Sequence, residues 1–216
     1  MQQSIVRVGP RLSRRSLLGV IVAAFVWAGQ GQAQSNDARQ PINELYTALE
    51  TVMRMGAETP FQQRFDRLAP VIDKVFDLDA ILRTSVGLRW ASLDATARDT
   101  LATVFRTFTI ASYTANFDKD GGDKFEVFPQ IRAAEADQIV QSRLVATDGE
   151  QHRIDYVMRT EAPGWRVVDV LLDGTISRVA VQRSDFRALL TSGNPGPLID
   201  SLKRKIGELS GGAMRP

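Results

Sequence analysis

Apolar side chains recur every three or four positions through residues 40–117, the spacing that places them on one face of an α-helix. The pattern predicts four helices, of which the second opens at Pro60 and the short third ends at Gly87. Ser92 is the expected N-cap of the fourth and longest helix, which runs on to Phe117. The stripes of the three long helices contain Ile42, Leu45, Leu49, Val52, Met53, Phe61, Phe65, Leu68, Ile72, Val75, Phe76, Leu101, Val104, Phe105 and Phe108.

From residue 125 onward the period changes to two, which is typical of β-strands with one buried face. Asp148-Gly149 lies between two alternating runs and indicates a two-residue hairpin turn. The predicted strands are Phe125–Phe128, Gln138–Thr147, His152–Thr160 and Trp165–Leu172, and two further helices are expected at about Ser184–Ser192 and Pro197–Leu209. This order predicts an α+β fold, with helices packed on one face of a curved antiparallel sheet of about four strands.

The first 33 residues have the three parts of a signal peptide in order. They hold four arginines and no acidic residue, then an apolar run of 12 residues from Leu17 to Ala28, then Gly31-Gln32-Ala33 as a small-residue cleavage site. The run is shorter than the ~20 residues that a membrane-spanning helix needs. We expect a cleaved signal peptide over residues 1–33 and a single domain over residues 34–216, with an uncleaved anchor as the alternative.

The route of export stays open between two pathways. Arg14-Arg15, followed by Ser16-Leu17-Leu18, resembles a twin-arginine signal, but ordinary Sec signals also carry paired arginines. The leader holds four of the 27 basic residues, which leaves 23 against 25 acidic ones and a net charge of −2. The basicity of the whole chain therefore belongs to the leader, and nothing in the charge indicates a nucleic-acid partner.

The composition offers little catalytic or metal-binding chemistry. The chain has no cysteine and one histidine, His152, which excludes thiol chemistry and the usual zinc ligand sets. No Gly-x-Ser-x-Gly motif accompanies that histidine, and the acidic loop from Asp118 to Asp123 lacks the spacing of a calcium loop, with Pro129 in the place of its glutamate. We therefore predict no catalytic residue, no metal site and no cofactor.

Large apolar residues, many of them phenylalanine, face a sheet with small and medium side chains. A dry core and an internal lipid cavity give the same pattern, so periodicity alone does not separate them.

A series of short motifs identifies a family. Their order and spacing from about residue 40 to residue 209 resemble the MlaC family of periplasmic lipid-binding proteins, also called the toluene-tolerance or ABC-transporter auxiliary family. Within it the chain is most similar to the HpnM branch associated with hopanoid biosynthesis. The motifs are Phe61-Gln62-Gln63-Arg64-Phe65, Leu68-Ala69-Pro70-Val71-Ile72, Gly87-Leu88-Arg89-Trp90, Ala111-Ser112-Tyr113-Thr114-Ala115-Asn116-Phe117, Gly164-Trp165-Arg166-Val167-Val168-Asp169-Val170, Asp173-Gly174-Thr175-Ile176-Ser177-Arg178 and Arg183-Ser184-Asp185-Phe186.

The resemblance implies a carrier and not an enzyme. Such a protein shuttles a hopanoid or a glycerophospholipid across the periplasm and docks transiently on inner- and outer-membrane transport proteins. Two alternative functions stay open. One is an enzyme or small-ligand binder with a pocketed fold related to NTF2, and the other is an accessory protein of a membrane complex that carries no cargo.

By analogy with the family, an apolar cavity lies between the helices and the sheet. Tyr113 and Phe117 are expected at its mouth, and Ser142 and Tyr156, polar residues on apolar faces, are candidates to orient a hydroxyl or a headgroup. The remaining predicted lipid contacts are Ile72, Val75, Phe76, Leu82, Leu101, Phe105, Phe108, Val140, Leu144, Ile154, Met158, Val168, Val170 and Leu172.

Overall fold

Helices and strands follow one another in the predicted order. The computed structural model describes residues 37–119, 121–161, 164–190 and 194–214, and the predicted signal peptide lies outside these ranges. The helices of the described chain are α1 (Arg39–Met55), α2 (Phe61–Val75), α3 (Leu78–Val86), α4 (Ala95–Asn116), α5 (Arg178–Leu189) and α6 (Gly196–Leu209), with a 3₁₀ turn at Gly87–Ser92. The strands are β1 (Lys124–Ala134), β2 (Asp137–Val145), β3 (Gln151–Glu161), β4 (Gly164–Leu172) and β5 (Ile176–Ser177). No described helix is both long and apolar enough to cross a bilayer.

The five strands form one antiparallel sheet in the order β1-β2-β3-β4-β5. Val140, Tyr156 and Met158 on one face are buried against the helices and belong to the main core. The opposite face carries ion pairs, such as Arg143 with Glu126 at 2.6 Å. The α+β fold with helices on one face of an antiparallel sheet is thus confirmed, with a two-residue fifth strand added.

Local sequence signals fix several boundaries. Gly87 ends α3 with a φ of 67°, a backbone conformation that glycine adopts without strain. A hairpin joins β2 to β3 at the predicted place, but its loop, between Val145 and Gln151, is longer than the two residues predicted. The backbone N–H of Gly149 donates to the carbonyl of Ala146 at 2.9 Å, so the turn is centred on Thr147 and Asp148, and Gly149 follows it at a φ of 90°. The end of α3 at Gly87 and the position of the hairpin are therefore confirmed, whereas the two-residue turn at Asp148-Gly149 is wrong.

Other predicted boundaries are wrong for identifiable reasons. The N-cap of α4 is Asp94, whose side chain accepts a hydrogen bond from the Ala97 backbone at 2.7 Å, whereas Ser92 belongs to the preceding turn. Helix α5 begins at Arg178, six residues before the predicted start, because the Ser177 hydroxyl accepts from the Ala180 backbone at 2.9 Å and caps the helix there.

Strand β1 is longer than its alternating run. The pairing with β2 shifts between Val127 and Ile131, so that extra residues around Pro129 bulge out of the ladder. Pairing resumes at Ile131 and continues to Ala134. Because the bulge interrupts the period of two, the strand predicted from the sequence was too short.

Candidate functional site

A pocket of about 340 Å³ lies between helices α3, α4 and α5 and the inner face of β3 and β4. A water molecule occupies ~30 Å³ and a methylene group is of similar size, so the pocket holds about a dozen methylenes. Its apolar lining consists of Phe76, Leu78, Ile81, Phe105, Phe108, Phe117, Ile154, Val170, Leu172 and Val179. Its other lining residues are Thr109, Ser112, Tyr113, Asn116, Tyr156, Asp169, Arg178 and Gln182.

Two surface grooves are larger than the pocket but more open to solvent. One, of about 900 Å³, runs between α1 and α2, and the other, of about 690 Å³, borders α4 and α6. Charged and polar side chains line most of both, among them Glu44, Lys74, Asp99 and Lys203. Both grooves are more open to solvent than the pocket, so an apolar ligand would stay in contact with water there and gain less than in the pocket.

Aromatic rings on α4 form one wall of the pocket. The Tyr113 ring lies between Phe76, with ring centroids 5.5 Å apart, and Phe117, at 6.1 Å in a stacked arrangement. Helical spacing of Phe105, Phe108 and Tyr113 brings these side chains to one side of α4. These rings give this side of the pocket an apolar surface, which suits a hydrocarbon chain.

Arg178 stands out among the polar lining residues because its charge is not neutralised. It is the first residue of α5 and is exposed. Within the described chain its guanidinium has no ion pair and no hydrogen bond. Other polar groups here are engaged: the hydroxyls of Thr109 and Ser112 donate to carbonyls of their own helix. Arg178 is therefore a cation available to a ligand.

Asp169 is the acidic residue of the lining, and its role is structural. One carboxylate oxygen accepts hydrogen bonds from the backbone N–H groups of Val170 at 2.7 Å and Val179 at 3.1 Å. The other oxygen accepts from the Ser177 hydroxyl at 2.5 Å. These bonds tie β4 to the start of α5. They also leave Asp169 poorly placed to neutralise Arg178 or to act as a base.

A hydrogen-bonded chain of hydroxyls lies behind the pocket. The Tyr156 hydroxyl bonds to that of Tyr46 on α1, which lies 2.5 Å from the Ser142 hydroxyl, and Ser142 donates to the carbonyl of Ile154. Burial raises the pKa of Tyr46 and raises that of Tyr156 further. The chain satisfies these buried polar groups and fixes α1 against the sheet.

Tyr113 differs from the other two tyrosines. Its hydroxyl makes no hydrogen bond within the described ranges, although burial raises the pKa of this residue well above its ordinary value. Because the side chain lines the pocket, its hydroxyl is free to bind a polar group of a ligand.

Half of the eighteen predicted lipid contacts line the pocket. These are Phe76, Phe105, Phe108, Tyr113, Phe117, Ile154, Tyr156, Val170 and Leu172. The other nine are placed elsewhere: Ile72, Val75, Leu82, Leu101, Val140, Ser142, Met158 and Val168 are buried, and Leu144 is half-buried. Lipid contact itself stays a prediction for all eighteen.

Sequence reasoning missed nine lining residues, most of them polar or on α5. Leu78 and Ile81 belong to the helix that also carries Leu82, and a stripe drawn from Leu78 would have found them. Arg178, Val179 and Gln182 were missed because the predicted α5 started too late. Thr109, Ser112, Asn116 and Asp169 have no apolar signal at all.

The one histidine lies outside the pocket. His152 is on β3, with 48% of its side chain exposed and its Nε2 atom 3.8 Å from Glu150. Within the described ranges, no group of three or more histidine, aspartate or glutamate side chains is placed to hold a metal ion.

Comparison with models of known protein families assigns the chain to one of them. The sequence model of the MlaC protein family matches residues 43–204, which include every helix and strand from α2 to α5. The chain belongs to the MlaC family. No curated protein gives a significant match.

A solved structure has the same fold. It is the phospholipid-binding protein from Ralstonia solanacearum, in complex with a phospholipid. The TM-score is 0.68, and the alignment covers 81% of this chain and 99% of that one at 18% sequence identity. This similarity supports the MlaC fold, while membership of the HpnM branch stays a prediction.

Proposed function

We propose that this MlaC-family protein is a periplasmic lipid carrier that shuttles a lipid between the inner and the outer membrane. The observation that carries the proposal is the apolar pocket between the helices and the sheet, with an unneutralised arginine among its lining residues. The neighbour from Ralstonia solanacearum, described as phospholipid-binding, supports a lipid as the ligand. Transport proteins of the two membranes are the proposed docking partners.

The size and chemistry of the pocket suit a hydrocarbon chain. Each buried methylene contributes roughly 0.8 kcal/mol, so the dozen that fit are worth about 10 kcal/mol. A carrier needs a gain of this order to compete with a membrane, yet the lipid must still leave. A pocket that covers only part of a long chain meets both requirements.

The pocket is poorly equipped for a reaction. Its acidic residue, Asp169, accepts three hydrogen bonds from the protein, and the histidine lies elsewhere. An NTF2-like enzyme would place an acid or a histidine where it can reach the substrate. The enzyme alternative is therefore the weaker one.

Two lipids remain candidates for the cargo. Resemblance to the HpnM branch favours a hopanoid, whereas the free guanidinium of Arg178 favours the phosphate of a glycerophospholipid. The two differ in mass and in charge, so one experiment distinguishes them.

Native mass spectrometry of the protein purified from the periplasm of its own host tests the function. We expect the mass of a chain without residues 1–33 plus one bound lipid, and dissociation of that lipid identifies it as a hopanoid or a phospholipid. The proposal fails if delipidated protein, incubated with vesicles that contain both lipids, acquires neither.

A further inference from the structure

The 3₁₀ turn after α3 presents the most exposed large apolar side chain of the described structure. Leu88 in this turn, Gly87–Ser92, is 92% exposed, whereas the next such residue, Ile176, is 50% exposed. Single exposed leucines are common on protein surfaces, so exposure alone carries no argument. The surroundings of Leu88 carry it.

The turn holds Leu88 outward on a fixed support. Val86 and Leu93 on either side of it are buried, at 6% and 3% exposure. Trp90 inside the turn is half-buried and packs on the main core. Leu88 therefore projects from a rigid loop, and ordering it against a partner costs little conformational entropy.

Four arginines surround the turn. Arg89 belongs to it, and the guanidinium carbons of Arg83 and Arg98 lie 5.8 Å and 5.7 Å from the Trp90 ring. The guanidinium of Arg183 packs on Gly87, 3.2 Å from the position that a Cβ atom would take. We call the turn together with Arg83, Arg98 and Arg183 the arginine tip.

The charges of the arginine tip are not neutralised. In the described ranges none of its arginines forms an ion pair with a carboxylate. Asp94, the nearest acid in the sequence after the turn, accepts a hydrogen bond from the Ala97 backbone as the cap of α4. Asp79 on α3 and Asp185 on α5 also have no ion pair with these arginines. Arg98 is half-buried and donates to the carbonyls of Trp90 and Ala91, and Arg89 is exposed but donates to the carbonyl of Arg187. The tip therefore presents three exposed guanidinium groups and one half-buried one, none of them paired with a carboxylate, around one projecting leucine.

We propose that the arginine tip docks on the surface of an anionic lipid bilayer. Leu88 enters the boundary between headgroups and acyl chains, and the guanidinium groups bind lipid phosphates. The shape favours a bilayer over a protein, because a projecting side chain needs a ready-made pocket in a protein but none in a fluid membrane. The inference does not depend on what the lipid pocket holds.

The attraction is weak enough for a shuttle. One leucine and a few arginines give a reversible contact, in which the charges act within a Debye length of ~8 Å at physiological salt. The tip would hold the carrier near a membrane while a lipid is exchanged, without anchoring it there.

Co-sedimentation with vesicles tests the proposal, using exported protein whose mass shows that the leader has been removed. We expect binding to vesicles of phosphatidylcholine mixed with phosphatidylglycerol, decreasing as salt rises, and little binding to phosphatidylcholine alone. Leu88→Ser should weaken binding about ten-fold. Ile131→Ser, a change of another exposed apolar residue far along the sequence, should leave it unchanged.

The charges are tested with matched double variants. Arg89→Gln with Arg183→Gln should lower binding about twenty-fold, since each basic residue near an anionic surface contributes roughly a factor of five. Arg132→Gln with Arg204→Gln removes the same charge from exposed sites outside the tip and should change binding much less.

Two results would overturn the proposal: absence of binding to the anionic vesicles, or equal losses in the tip and control variants. Lipid loading of the Leu88→Ser protein, measured by native mass spectrometry, keeps the two proposals separate. Loading should match that of the wild type even where vesicle docking is lost, and circular dichroism melting checks that each variant is folded.

Discussion

All three tyrosines of the chain have a raised pKa, and the cause is burial in each. Tyr46 and Tyr156 share a buried hydrogen-bonded chain, and Tyr113 lies in the pocket wall. A phenol whose ionised form is disfavoured keeps its proton in the folded protein while the unfolded chain loses it. The tyrosines thus couple the stability of the fold to alkaline pH.

We predict that the free energy of unfolding falls as the pH rises above about 10, the ordinary tyrosine value. The unfolded state then releases phenolic protons that the folded state retains, which costs about 1.4 kcal/mol per pH unit for each tyrosine. Urea unfolding across this range measures the slope, and Tyr156→Phe should remove about one third of it. Tyrosinate absorbance of the folded protein that titrates near pH 10 would contradict the prediction.

Arg178 is predicted to distinguish the two candidate cargoes. Arg178→Gln should lower loading with phosphatidylglycerol about three- to five-fold, the value of an exposed ion pair, and leave loading with a neutral hopanoid unchanged. Competition between the two lipids, measured by native mass spectrometry, gives the ratio of bound phosphatidylglycerol to bound hopanoid for each variant. Arg132→Gln is the control, since Arg132 lies exposed on β1. An equal loss for both lipids would mean that Arg178 is a packing residue.

At the scale of the elements, the sequence predicts whatever depends on local periodicity or turn chemistry. The helical stripes, the position of the hairpin between β2 and β3 and the end of α3 at Gly87 are of this kind. The N-cap of α4 could not be predicted from local sequence, because Ser92 and Asp94 are both good capping residues and only the packing of the chain selects Asp94. The bulge in β1 likewise depends on its pairing with β2.

The connection between β4 and α5 depends on Asp169. Replacing it with alanine removes three hydrogen bonds and leaves the N–H of Val179 without its partner, so Asp169→Ala should lower the free energy of unfolding by about 2 kcal/mol. Chemical denaturation measures the loss. The control is Asp185→Ala, at an exposed position on α5, which should lower the free energy of unfolding by less than about 0.5 kcal/mol. If the Asp169→Ala protein were as stable as the wild type, the hydrogen bonds of Asp169 would contribute nothing to the stability of the fold.

At the scale of the whole molecule, the sequence indicates which faces are buried but not where packing leaves a space. Val140 and Tyr156 lie on the same sheet face, yet only Tyr156 reaches the pocket. The pocket lies where α5 faces β3 and β4, whereas Val140 is on β2. The sequence did not predict that α5 starts at Arg178, because the apolar stripe of this helix is weak. Family resemblance predicted a cavity between helices and sheet, but not which half of the candidates would line it.

Lipid loading of pocket-filling variants tests the central claim most directly. Ser112→Trp and Val170→Trp place an indole in the pocket from the helical wall and from the sheet, and Leu144→Trp places one on the same sheet face outside the pocket. Each delipidated protein is incubated with phospholipid or hopanoid vesicles, and bound lipid per protein is measured by native mass spectrometry. We predict a strong loss of loading in both pocket variants and wild-type loading for Leu144→Trp. Folded pocket variants that load as much lipid as the wild type would contradict the assignment of this pocket as the lipid site.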